Sequence, residues 1–292
     1  MQTVVIKKKQ MDGTFLEATF APELGMNLIS LKKDKLELLD TSTEDLFFER
    51  CAGLGALIGP HFHQQKETIL PSTCPTDLFS HIPKLIAKGQ KDFFSHGIAR
   101  YVPWQYTASE DKITAKVSSV DVYKGYLLSE LECLNFYMTY EAEILEDRFR
   151  IKIFSNSDTQ SLIGLHYYYA IYGQSFIDGT VEPYYYDKGL KKPLEDKWKH
   201  NNNNVFLDIK QDLDFGFHPI LKNSIGTITL TTEKYILKQE IQPVDGSEYS
   251  IQIYHPIDRN FICIEPISAS NPRGNTPKQG HLVIDLFITL TI

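Results

Sequence analysis

Along most of this chain apolar and polar residues alternate with a period of two. In Arg148-Phe149-Arg150-Ile151-Lys152-Ile153 the apolar side chains fall on one side and the charges on the other, as in a half-buried antiparallel strand. The C-terminal run from His281 to Ile292 repeats the pattern, with Leu282, Ile284, Leu286, Ile288 and Leu290 on one face. Further strand-like stretches fall near 3–8, 14–20, 26–31, 113–122, 131–144, 181–186, 227–231 and 249–254. Turn signals separate them: Met11-Asp12-Gly13, Asn156-Ser157-Asp158 and Asp245-Gly246-Ser247. No long amphipathic helix interrupts this order; Glu44 to Phe48 and Pro83 to Lys88 suffice for a turn or two each. The irregular stretch 60–95, with its Pro and His residues, reads as a long loop over one sheet face, and the Asn run 201–204 as a surface loop. Without an internal repeat or a linker, the pattern predicts one all-β domain spanning residues 1–292. It is a large antiparallel β-sandwich with few short helices.

Composition narrows the partners. Of 292 residues, 42% are hydrophobic, enough for a sizeable core. Tyr and Phe dominate the aromatics, which favours strands and supplies flat surfaces for stacking against sugars. The net charge of −7 repels nucleic acid and anionic membranes, so neither is an expected partner. Cys51, Cys74, Cys133 and Cys263 form no CxxC pair, which suits a reducing compartment. No apolar run is long enough for a signal peptide or a membrane span, so the cytoplasm is the expected location.

Three clusters could carry chemistry: Ser95-His96-Gly97-Ile98-Ala99-Arg100 followed by Pro103-Trp104, Gly164-Leu165-His166-Tyr167-Tyr168-Tyr169, and Cys263-Ile264-Glu265-Pro266. Each sets an ionisable group beside Gly, Pro or bulky aromatics. Each also has a structural reading: a hydrogen-bonded His on a strand, an exposed loop carboxylate, a Trp in the core or rim. From the residues alone they propose a polar pocket with acid/base potential. His61-x-His63 could offer two metal ligands from one strand face, but without a third at a motif spacing it reads as loop or pocket lining.

In their order along the chain, these clusters resemble the aldose 1-epimerase (galactose mutarotase-like) superfamily. Residues 96–104, HGIARYVPW, are similar to its His-Gly-Phe-Ala-Arg…Trp signature. His166 with the Tyr run after it resembles its His followed by an aromatic pair. Ile264-Glu265-Pro266 resembles its C-terminal Glu-Pro segment, and Gln252-Ile253-Tyr254 a Gln-x-Tyr strand just before it. Gly25 to Leu31 and Glu37-Leu38-Leu39 look like its opening strands. The likeness runs from about residue 20 to 292.

The resemblance implies a β-supersandwich that interconverts the α and β anomers of a free or phosphorylated aldose, with no metal or organic cofactor. The substrate would be a small sugar or sugar phosphate, the protein a monomer or homodimer. Mutarotation removes the C1 hydroxyl proton while the ring oxygen gains one, and the roles swap on closure. The resemblance makes Glu265 the base, His166 the acid on the opposite side of the anomeric centre, and His96 the group that fixes the pose. Arg100 becomes a hydroxyl or phosphate contact and Arg50 a second phosphate ligand. Asp214, Trp104 and Gln252 complete the substrate-binding candidates. A non-catalytic sugar-binding protein on the same fold is the alternative. The chain departs from galactose mutarotases at Gly59-Pro60-His61-Phe62-His63-Gln64, which lacks both arginines of their early Gly-Arg…Arg element. Ordinary galactose specificity is therefore not expected.

Overall fold

The computed structural model describes residues 1–62, 75–201 and 204–291, His200 and Asn201 through their backbone only. Paired strands run antiparallel throughout. They form two broad sheets joined through one long strand, Phe176–Asp187. The first half of that strand pairs with Gly226–Thr231 and Asn204–Asp208, the second with Leu213–Pro219 and Leu190–Pro193. One sheet runs from Val4–Lys9 through Phe15–Ala21, Asn27–Lys33, Gly55–Ile58, Gly164–Ala170, Phe261–Ile267 and Ser250–His255 to Leu213–Pro219. The other is built on Lys112–Ser118, Phe136–Ile144, Phe149–Ser157, Gln279–Leu290 and Tyr235–Pro243.

The inner faces of the two sheets form one continuous core. Phe20 packs edge-on against Tyr140 of the opposite sheet, with ring centres 5.9 Å apart, and the buried hydroxyls of Tyr140 and Tyr167 hydrogen-bond across the layers at 2.9 Å. Aromatic and β-branched side chains fit this pleated, buried surface.

The all-β sandwich expected from the alternation is the architecture found, and the two short helices appear as Glu44–Arg50 and Ile82–Ala87. Some local expectations change. Residues 128–132, the start and approach of an expected strand at 131–144, form a short helix whose Leu128 and Leu131, three apart, are buried together; the strand begins at Phe136. Asn156 and Ser157 still belong to a strand, so the turn starts at Asp158. The expected loop 60–95 contains the Ile82–Ala87 helix, while its residues 63–74, including His63 and Cys74, lie outside the described part. In the Asn run, Asn201 ends one strand and Asn204 begins the next; 202 and 203 lie outside the described residues. No described helix is long and apolar enough to cross a membrane.

Candidate functional site

Strand Gly164–Ala170 is buried over its whole length, so its two faces serve different purposes. Leu165, Tyr167 and Tyr169 turn into the core, whereas His166 and Tyr168 turn to the opposite face of the sheet. Register then assembles a row. The pairing of Gly164 with Ile267 and Tyr168 with Cys263 sets His166 opposite Glu265; Glu265 opposes Gln252, and Gln252 opposes Gly216. Ala56 flanks His166 on the other side. Directly opposed side chains stand about 5 Å apart on one face, so a His, a Glu and an amide line up between two small residues. A Cβ on Gly216 would lie 2.2 Å from the Gln252 amide, and glycine there leaves that side chain room to lie flat. The Gln252 amide donates to Ser250 Oγ at 3.2 Å.

This row floors a cleft of about 650 Å³, within the range of small-molecule sites. One wall is the helix Glu44–Arg50 with Thr43, Asp45 and Arg50; the others bring Phe62, His96, Asp214, Tyr254, Arg259 and Arg273. The helix ends at Cys51 in a left-handed conformation, whose N–H and that of Ala52 close onto Phe47 and Leu46 carbonyls, which places Arg50 on the last turn at the cleft.

His166 Nε2 lies 3.2 Å from Glu265 Oε1, and both side chains are almost fully buried. His166 stacks on Tyr168, ring centres 4.8 Å apart, and meets His96 edge-on at 5.2 Å. Burial, reinforced by the Asp214 charge, raises the Glu265 pKa well above the ordinary carboxylate range, against the opposing pull of Arg100 and Arg273. Its Oε2 is buried with no hydrogen-bond partner among the described residues. His96 approaches from a tight turn with φ +65°, followed by Gly97 at φ +84°. A Cβ at Gly97 would sit 1.9 Å from the Gly59 carbonyl, so only glycine permits this approach.

The structure thus brings His96, His166, Glu265, Gln252, Asp214 and Arg50 to one cleft. Trp104 does not join them: it is buried, and its indole N–H donates to the Ala99 carbonyl at 2.8 Å. Arg100 lies outside the lining too. Its guanidinium is buried, with Nε and Nη2 lacking hydrogen-bond partners among the described residues, and it acts on Glu265 and Cys263 through its charge. The opposed geometry expected of His166 and Glu265 becomes direct contact, because cross-strand neighbours cannot stand a sugar's width apart. Arg273, in a Pro-Arg-Gly loop that no sequence motif marks, reaches Asp214 at 3.3 Å and packs its guanidinium over Phe62. His61 does not line the cleft; its Nδ1 pairs with the Glu132 carboxylate.

For a metal, the described residues offer one cluster: His166, Cys263 and Glu265, one donor atom each within 4.8 Å. The Arg100 charge, which acts on both Cys263 and Glu265, opposes a cation there.

No protein-family model and no curated protein sequence matches the chain. Solved structures do. A galactose mutarotase-like protein from Lactobacillus casei superimposes with a TM-score of 0.67 at 13% identity, over 99% of this chain and 100% of that one. One from Clostridium acetobutylicum gives 0.66 at 15%, over 99% of each chain. A galactose mutarotase related enzyme from Lactobacillus acidophilus gives 0.60 at 12%, over 99% and 98%. At such low identities the shared feature is the architecture, and the chain has the galactose mutarotase-like fold.

Proposed function

We propose that the cleft interconverts the α and β anomers of an aldose, free or phosphorylated. The observation that carries this reading is the buried contact between His166 and Glu265 at the cleft floor. In ring opening the C1–O5 bond breaks and C1=O1 forms: the O1 hydroxyl loses its proton to a base while O5 receives one from an acid. O1 and O5 are bonded to the same carbon, so two groups already in contact with each other reach both. In our assignment the Glu265 carboxylate takes the O1 proton and a protonated His166 gives one to O5. Closure on the other face of the carbonyl carbon returns both protons. A raised Glu265 pKa moves it toward neutrality, where a carboxylate serves best as base and then acid. His96, beside His166, would hold the ring oxygen or a neighbouring hydroxyl and fix the pose.

Asp214, Gln252 and Arg273 supply acceptors and donors for the remaining hydroxyls, and Tyr168 and Phe62 supply aromatic faces. Arg50 is our candidate for a phosphate ligand; Arg100, buried and outside the cleft lining, would act on an anion only through its field. The free thiols of Cys51, Cys133 and Cys263 suit a reducing compartment, and we place the protein in the cytoplasm. The core shared by both sheets supports one working domain.

The test is anomer exchange followed by NMR with glucose, galactose and glucose 6-phosphate. Glu265→Gln should slow exchange by roughly 10²–10⁴-fold. Equal rates in wild type and variant would remove the catalytic assignment; retained sugar binding in that case would leave the non-catalytic sugar-binding reading standing.

A further inference from the structure

His96 holds a left-handed backbone conformation, which costs a non-glycine residue about 1–2 kcal/mol and persists only where its surroundings impose it. Most of what imposes it is backbone. The His96 N–H donates to the Phe62 carbonyl at 2.9 Å, and the Gly59 N–H donates to the His96 carbonyl at 2.8 Å. Gly97 N–H donates to Phe94 at 2.7 Å and Ala99 N–H to Gly59 at 3.2 Å. A buried carboxylate also enters this set. Glu132, at the end of the short helix Leu128–Glu132, accepts the Ile98 N–H on Oε2 at 3.0 Å, while its Oε1 accepts from His61 Nδ1.

A single buried carboxylate therefore ties together two loops: the one that carries Gly59 and Phe62, and the one that carries His96. Its side chain is 1% exposed, and a polar group so deeply buried needs hydrogen-bond partners. His61 supplies the pairing. Burial alone would lower the His61 pKa; the Glu132 charge and hydrogen bond, with a smaller push from Asp92, outweigh it and raise it. Neither His61 nor Glu132 lines the cleft.

We infer that Glu132 and His61 are positioning residues for His96: their buried hydrogen-bonded pair locks the turn that presents the His96 ring to the sugar. The inference rests on the mutarotase reading for its kinetic consequence, but its structural content can be measured apart from activity. Glu132→Gln keeps an acceptor for the Ile98 N–H and removes the charge that holds His61. The expected result is a rate of anomer exchange lower by roughly ten- to a hundredfold, the scale of a misplaced positioning group. In a His96→Asn background the same substitution should add almost nothing, because Glu132 acts through His96. NMR signals of the His96 ring should shift or broaden in Glu132→Gln, with those of the distant His281 unchanged. If Glu132→Gln does not fold, His61→Gln, which keeps the carboxylate, is read in the same way.

Effects of Glu132→Gln and His96→Asn that multiply, or a slowed variant whose His96 signals match wild type, would overturn the inference, leaving the pair a stabilising contact only. If wild-type protein shows no anomer exchange, the functional reading fails and the His96 signals alone decide whether the pair positions the ring.

Discussion

His166 and Glu265 are cross-strand neighbours whose side chains meet at 3.2 Å, Nε2 to Oε1, on the face of the sheet turned away from the core. Neighbouring strands are fixed about 4.8 Å apart by their hydrogen bonds, so the sheet itself sets this contact, without help from a loop. The consequences concern pH, charge and ligand class.

The first is a dependence of stability on pH. Folding raises the Glu265 pKa above its ordinary value of 4.5, so the folded protein holds this proton more tightly than the unfolded chain. The contribution is therefore favourable below about 4.5 and is lost progressively as pH rises toward the raised folded value. Glu265→Gln removes the ionising group. Its Tm should exceed that of wild type at pH 8, and the gap should close below pH 4.5. Thermal unfolding at a series of pH values checks this; a Tm lower than wild type at pH 8 contradicts it.

The Asp214 charge is the next cause of the raised Glu265 pKa after burial, and Arg273, its partner at 3.3 Å, pulls the other way. Asp214→Asn should therefore lower the Glu265 pKa. With Glu265 as the proposed base, the limb of the pH–rate profile assigned to it should move to lower pH, by an amount to be read from NMR exchange rates between pH 4 and 9. A limb that stays in place would mean that Asp214 does not act on the ionisation of Glu265.

Phosphorylated hexoses provide a test of the guanidinium groups. With Arg50 lining the cleft, glucose 6-phosphate should bind more tightly than glucose by roughly ten- to a hundredfold, the worth of a hydrogen bond to a charged group. Added salt should shrink the difference, and Arg50→Gln should abolish most of it. Titration calorimetry with both sugars decides: equal affinities at low salt exclude a phosphate subsite.

In the core, the Tyr140 and Tyr167 hydroxyls have each other as partners at 2.9 Å between the two sheets. Tyr167→Phe leaves the Tyr140 hydroxyl buried and unpaired, at a cost of about 1–3 kcal/mol. Tyr140→Phe does the reverse. The double variant should be destabilised by less than the sum of the two, because it removes both polar groups at once. Urea unfolding of the four proteins measures the cycle, and strict additivity would show that the hydroxyls do not interact.

The alternation of Phe149–Ser157 and Gln279–Leu290 was enough to read an antiparallel sandwich from the sequence, because one face of each strand meets the core and the other meets water. The strands that build the cleft were harder to read for the opposite reason. Gly164–Ala170 and Phe261–Ile267 are buried on both faces, so their composition shows no period. Tyr235–Pro243 does alternate, but buried Gln239 breaks its apolar set. Of the residues that line the site, the sequence singled out His96, His166 and Glu265, with Gln252, Asp214 and Arg50 as further candidates. It could not show that Trp104 turns inward or that Arg100 is buried outside the cleft lining. Nor could it show that Arg273 arrives from a distant loop to meet Asp214. Those outcomes depend on register, which decides which face each side chain takes and which residue stands opposite it, and pairing between segments a hundred residues apart leaves no mark in local sequence. The sequence by itself determined the alternation of polar and apolar faces along the strands and marked the ionisable residues that meet in the cleft. The tertiary structure alone decided that two of them touch, in a buried floor that raises the carboxylate's pKa.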